Sequence, residues 1–251
     1  MKASNKLIFL LSLCLCIAYF LLKKDNTEQE NTDKTVSESK VKTSSNKRKS
    51  AKPLNIRRLN TRLVNGQNNE RDEALKEFLT AKGIFSGEQP IDISEIKTLT
   101  FTELNNAELL TVSYLPNLIE LNVAGTLVNN LECLVNLSEL RHLNISSTNI
   151  ESLEPLKDLR LKSLIMKETH AANYKAVGNI KSLEILDISN CSISEISNFK
   201  GLENLVNLDI SNTRISDLSP ISSLPKLKKI NYTDSSVVID SNNIELILRT
   251  R

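Results

Sequence analysis

Seven times between residues 96 and 237 the apolar residues fall into one phrase, L-x-x-L-x-L-x-x-T/C/S-x-I/V. It begins at Ile96, Leu118, Leu140, Leu161, Leu183, Leu205 and Leu227, in steps of 22, 22, 21, 22, 22 and 22 residues. Position 4 holds Leu99, Leu121, Leu143, Leu164, Leu186, Leu208 and Ile230; position 6 holds Phe101, Val123, Ile145, Met166, Ile188, Ile210 and Tyr232. A second rhythm follows at positions 14, 17 and 20, as in Leu131, Leu134, Leu137 and in Ile196, Phe199, Leu202. A fixed period of this length means stacked units that bury their faces jointly, in place of one globular core.

The two halves of a unit differ in period. Positions 3 to 7 alternate polar and apolar, which puts positions 4 and 6 on one face of a short strand. The later spacing of three fits a 3₁₀ segment or tight turn, where residues i and i+3 eclipse. Each chain reversal passes through the back of the unit, so successive strands run parallel.

The unit Leu205-Val-Asn-Leu208-Asp-Ile210-Ser-Asn-Thr213-Arg-Ile215-Ser-Asp-Leu218-Ser-Pro-Ile221 resembles the leucine-rich-repeat family, in its 22-residue internalin-like class. The resemblance covers residues 96 to about 237. It implies an α/β solenoid: a right-handed superhelix with a parallel β-sheet on the concave face and 3₁₀ or short turns on the convex face. It also implies recognition in place of catalysis. Position 9 departs from the family's frequent Asn or Cys, with Thr126, Thr148, Thr169, Cys191, Thr213 and Ser235. A hydroxyl reaches less far than an amide, so the turns are expected to be held within units more than between them. The first unit has Leu104 and Asn106 at positions 9 and 11, as an atypical terminal repeat does.

The flanks read as caps. Residues 69–95 open with Asn69 as helix N-cap, acids in the first turn, the apolar face Ala74, Leu75, Phe78, Leu79, and Gly83 as the stop. Seven repeats fill 96–238, and 239–251, with Ile244 to Arg251, form a short C-terminal cap.

Residues 1–24 contain sixteen almost uniformly apolar residues, Leu7 to Leu22, flanked by Lys2, Lys6, Lys23 and Lys24. At 1.5 Å per residue the stretch spans about 24 Å, a short membrane anchor whose lysines snorkel. The alternative is a signal peptide cleaved near Ala18, which would make the protein secreted. Asp25, Glu28, Glu30 and Asp33 favour the amino end inside and the repeats outside the cytoplasm. Residues 25–68 read as a disordered linker. From Lys40 to Asn69 it carries nine basic residues (Lys40, Lys42, Lys47, Arg48, Lys49, Lys52, Arg57, Arg58, Arg62) and no acid, as a solvated spacer or a contact with an anionic surface would. No aromatic residues interleave them, so nucleic-acid binding is not expected. The whole chain is only +2, so the repeats do not share this bias.

Little in the composition supports chemistry. Cys14 and Cys16 lie in the apolar stretch, and Cys133 and Cys191 are three repeats apart, about 14 Å along the stack, too far for a disulfide. The two histidines, His142 and His170, have no nucleophile or carboxylate at motif spacing. No metal, cofactor or catalytic set is expected. Positions 3, 5 and 7 project from the strands and are mostly small and polar. Ile165 and Ile185 are the exceptions, read as two apolar residues together in the open, with His142, Asp187 and Asp209 nearby. Asp187 and Asp209 stand side by side like a pair of catalytic carboxylates, but on a face open to water. These five residues form the expected partner-binding centre. The function expected is a non-catalytic, membrane-anchored or secreted scaffold that binds an unknown protein ligand through its concave face. A self-associating surface-coat protein and an intracellular regulatory subunit remain alternatives, with the oligomeric state open.

Overall fold

The computed structural model describes residues 55–65, 68–84, 92–115, 117–238 and 246. Seven three-residue strands form one parallel sheet in chain order: β1 Thr98–Thr100, β2 Glu120–Asn122, β3 His142–Asn144, β4 Ser163–Ile165, β5 Ile185–Asp187, β6 Asn207–Asp209 and β7 Lys229–Asn231. Register is unbroken, with Leu99, Leu121, Leu143, Leu164, Leu186, Leu208 and Ile230 aligned across all seven. Each of these is buried, so one face of the sheet belongs to the core. The solenoid expected from the periodicity is the fold observed.

The back of the coil follows the second rhythm. Short 3₁₀ segments cover Glu132–Asn136, Glu154–Leu156, Val177–Asn179, Ser197–Gly201 and Ser219–Ile221. The apolar residues at positions 14, 17 and 20 are buried in every one of these units except Tyr174, which is half-buried. The first unit differs, with a true helix, α3, at Asn106–Val112. Asn105 and Glu108 make a reciprocal capping box there, which lets Ala-Glu-Leu-Leu-Thr-Val extend past a single turn.

Turning the chain after each strand from β2 to β7 takes one left-handed residue. Gly125, Ser147, Glu168, Asn190, Asn212 and Asp234, all at position 8, have φ between 52° and 70°. Their amides then bond across units: Gly125 N–H donates to Ser146 O, Ser147 to Lys167 O, Glu168 to Ser189 O, Asn190 to Ser211 O and Asn212 to Thr233 O. Nearest-neighbour bonding of this kind is what makes the array quasi-one-dimensional.

Position 9 behaves in two ways. The Thr126, Thr148, Thr213 and Ser235 hydroxyls donate to carbonyls three residues back, within their own units. Thr169 and Cys191 depart from the expectation: Thr169 Oγ1 reaches Ile145 O at 3.0 Å and Cys191 Sγ reaches Met166 O at 3.1 Å, each in the preceding unit. The fourth unit is thus tied to both neighbours through buried side chains.

The N-terminal cap is larger than expected. Helix α1, Ile56–Asn65, lies inside the stretch read as disordered linker, 25–68. Its Leu59 and Leu63, one turn apart, are buried, and Asn60 both donates to Ala107 O and accepts from the buried Thr111 hydroxyl of α3. Arg62, read as part of a basic run, pairs with Glu73 and Glu77 of the next helix. Charge counting hid an amphipathic turn. Helix α2, Asn68–Ala81, stands where expected, but with Asn69 inside its first turn and not at the N-cap. It ends with Gly83 at φ 72° and with Ile84 N–H on Leu79 O, a closure that favours glycine. Phe78 then meets Phe101 of the first repeat at 6.1 Å between ring centroids, and Lys82 pairs with Glu108 at 2.7 Å.

The apolar stretch 7–22, the linker to residue 54 and all of the C-terminal cap but Leu246 lie outside the described residues. Leu246 itself is buried. Among the described residues no helix is long and apolar enough to cross a membrane.

Candidate functional site

The second face of the sheet carries positions 3 and 5. Position 7, expected to project beside them, does so only in part: it lies in the turn, where Ser146 and Ser189 are buried while Thr102, Lys167 and Thr233 stay exposed. The cause is a recurring local bond that the alternation of polar and apolar residues does not reveal. At position 5, Asn122, Asn144, Asp187, Asp209 and Asn231 each accept, through Oδ1, the N–H of the residue two further on, at 3.0 to 3.2 Å. These Asx turns close the chain onto itself just past the strand.

Asp187 and Asp209 are register partners, as expected. Neither is a free carboxylate. Asp187 accepts Ser189 N–H and Oγ–H on Oδ1, and Lys167 Nζ lies 3.3 Å from its Oδ2. Asp209 accepts the Ser211 amide and hydroxyl on Oδ1 and Asn231 Nδ2–H on Oδ2. Burial pulls Asp209 upward, but the Ser211 and Asn231 hydrogen bonds and the Lys167 charge outweigh it and hold the carboxyl below its usual value. A carboxylate held ionised by donors is a poor proton donor at neutral pH. Its stabilisation is present above the unfolded carboxyl value, about 3.9, and is lost as pH falls through the lower folded value. Asp209→Ala is therefore expected to cost about 1 kcal/mol at pH 7, with the difference from the parent closing in urea titrations run progressively below pH 4.

Ile165 breaks the position-5 series. It cannot accept a hydrogen bond, so the Lys167 N–H goes to Ser146 Oγ of the preceding unit at 3.2 Å. The exchange keeps the turn satisfied and leaves an aliphatic side chain on the face. Ile165 is half-buried and Ile185 is 39% exposed. They are not direct neighbours: Ile165 faces Asp187 in register, and Ile185 faces Ser163 and Asn207. The expected apolar pair is a diagonal, not a contact across one ladder step.

His142 is exposed on β3, between Glu120 and Ser163 in register. With Ile165 it lines a shallow depression of about 260 Å³, whose other walls include Glu120, Asn122, Asn144 and Ser163. The structure therefore joins His142 and Ile165 in one concavity and sets Ile185, Asp187 and Asp209 along its far side. The depression sits one strand nearer the N-terminus than the centre read from the sequence. Glu120 and the two asparagines were legible as face positions, but only the register shows that they converge.

The remaining reactive groups are structural. Cys133 and Cys191 are buried thiols outside any disulfide, and burial pushes the Cys191 thiol up. The Tyr174 hydroxyl donates to Thr169 O, and burial pushes it upward too. Ser192 Oγ lies 3.3 Å from His170 Nδ1 on an exposed surface, a pairing not anticipated from sequence spacing. No carboxylate bonds that ring among the described residues, so no triad is formed. Nor do the described residues hold a cluster of three metal-ligating side chains.

A family model described as leucine-rich repeats, in two copies, matches residues 181–223. Internalin C2 of Listeria monocytogenes superposes with a TM-score of 0.56 at 22% identity, over 68% of this chain and 88% of that one. The chain has an internalin-like leucine-rich-repeat fold. A second Listeria monocytogenes internalin, InlF, gives the same TM-score at 16% identity, over 70% of this chain and 59% of its own. At these identities the likeness is one of fold. No curated protein sequence matches the chain. The leucine-rich-repeat assignment accounts for the strand, turn and back of each unit, and leaves the residues on the open sheet face to be explained by what they hold.

Proposed function

We propose that this leucine-rich-repeat chain is a non-catalytic scaffold that holds a protein partner on the open face of its sheet. The apolar stretch Leu7 to Leu22 would anchor it in a membrane with the repeats outside the cytoplasm. The observation that carries the reading is the two-sided sheet: position 4 is buried in every strand, while positions 3 and 5 bear the depression and the apolar diagonal on the opposite face. Leucine-rich-repeat proteins as a class are protein-interaction scaffolds, which supports the general role. The engaged carboxylates and buried thiols support binding over chemistry.

The test is photo-crosslinking in the source cells. A benzophenone amino acid at position 185 should yield a protein adduct, and the same group at Lys157 on the back should not. Ile165→Asp combined with Ile185→Asp should abolish the adduct formed from a benzophenone at position 207, with the thermal midpoint changed by no more than a few degrees. Equal adducts from both sides, or an adduct that survives the double substitution, would remove the sheet face as the binding surface. Protease protection of the full-length chain in membranes reports anchoring and sidedness together. Complete release of the chain from membranes by high-salt washing would reject the anchor.

A further inference from the structure

Three features of the open face point to one kind of occupant. The first is the broken Asx series. Five strands place Asn or Asp at position 5 and use it to close the next turn; β4 places Ile165 there, and Ser146 of the preceding unit supplies the missing acceptor. Packing of the core does not require an aliphatic residue at that point, because the position faces away from it. The second is Glu120. It is exposed, and it makes no hydrogen bond or ion pair through its side chain among the described residues, whereas the other two carboxylates on the face are fully engaged. The third lies between them. Asn122 and Asn144 spend Oδ1 on their own turns, which leaves their Nδ2–H groups open to the depression as donors.

We propose that the partner segment is an extended peptide crossing β2 to β4, with a basic side chain against Glu120, backbone carbonyls accepting from Asn122 and Asn144, and an aliphatic side chain on Ile165. This rests on the sheet-face reading above and specifies the chemistry of its ligand. Glu120 and Ile165 are two strands apart, about 10 Å, and offset by two residues along the strand, about 7 Å, so about 12 Å separates their Cα atoms. An extended peptide advances about 3.4 Å per residue and alternates its faces, which sets the basic and aliphatic side chains four residues apart on the side turned to the sheet. The carboxylate selects against acidic segments by like-charge repulsion, and the isoleucine against wholly polar ones by leaving apolar surface wet.

The experiment pans a phage-displayed random dodecapeptide library on the full-length chain, then titrates the enriched peptides by fluorescence anisotropy. Enrichment of Lys or Arg four residues from Ile, Leu or Val is expected. Glu120→Gln should weaken such peptides about fivefold and flatten their salt dependence, since it removes one charge and little shape. Ile165→Asn should weaken them about tenfold or more while the chain melts no lower than its parent, because asparagine restores the local turn acceptor that five other strands carry. That stability readout separates lost binding from lost folding. Enriched peptides that lack the spacing but lose affinity on Asn144→Arg would overturn this ligand and keep the sheet face. Peptides indifferent to Glu120, Asn144 and Ile165 substitutions would overturn both, and a library yielding no enriched peptide overturns the peptide ligand alone, since crosslinking reads the face independently.

Discussion

Phe199→Ala is expected to lower the unfolding free energy by about 3–5 kcal/mol, read as a shifted urea midpoint followed by circular dichroism. Phe199 sits in the 3₁₀ segment of the fifth unit and is 1% exposed, among the largest fully buried side chains. Deleting its ring removes transfer free energy and leaves a void between two stacked backs, which short 3₁₀ segments have little freedom to close. In a compact domain the loss would spread over the whole core. In a stack each unit contacts only its neighbours, so the loss concentrates at one step of the array. The transition should therefore broaden as well as shift, with the units on either side of the fifth melting separately. An unchanged slope with a small shift would mean that the surrounding back collapses onto the vacancy.

Gly178→Ala is expected to cost about 3 kcal/mol, and Gly201→Ala less than about 1 kcal/mol, although both glycines lie on the back between the fourth and fifth units. Gly178 is needed for space and not for φ. A Cβ there would stand 2.2 Å from the Asn198 carbonyl oxygen of the next unit, a backbone atom that moves only if the repeats part. At Gly201 the obstacle is Lys181 Nζ, also at 2.2 Å, the far end of a flexible chain that can swing away and give up its bond to Gly178 O. Thermal melts of the two variants side by side decide the matter. Equal costs would show that the close approach at Gly178 relaxes as easily as a lysine tail.

The period of 22 residues made the sheet, its parallel order and its buried leucines legible, because the apolar positions that recur in every unit are the ones a stack buries. The helix at Ile56–Asn65 was not legible, since three arginines and two asparagines surround only a few apolar residues, and the burial of Leu59 and Leu63 depends on α2 and α3 being there to receive them. The candidate face was half legible. Alternation placed Ile165, Ile185, His142, Asp187 and Asp209 on it correctly, but alternation carries no information on hydrogen bonds. It therefore missed that the two aspartates close turns, that Ser146 stands in for an acceptor at Ile165, and that Ser146 and Ser189 are buried in those turns. Which residues converge on the depression is a matter of cross-strand register, and register within a stack is fixed only once the length of every back is known.

That last point has a practical side. The third unit is one residue shorter than the others, yet Leu143, Leu164 and Leu186 stay aligned across its boundary. The shortfall is absorbed behind the sheet, which works as an expansion joint. A second single-residue deletion at the same joint of another unit is thus expected to leave the surface on the other side in line.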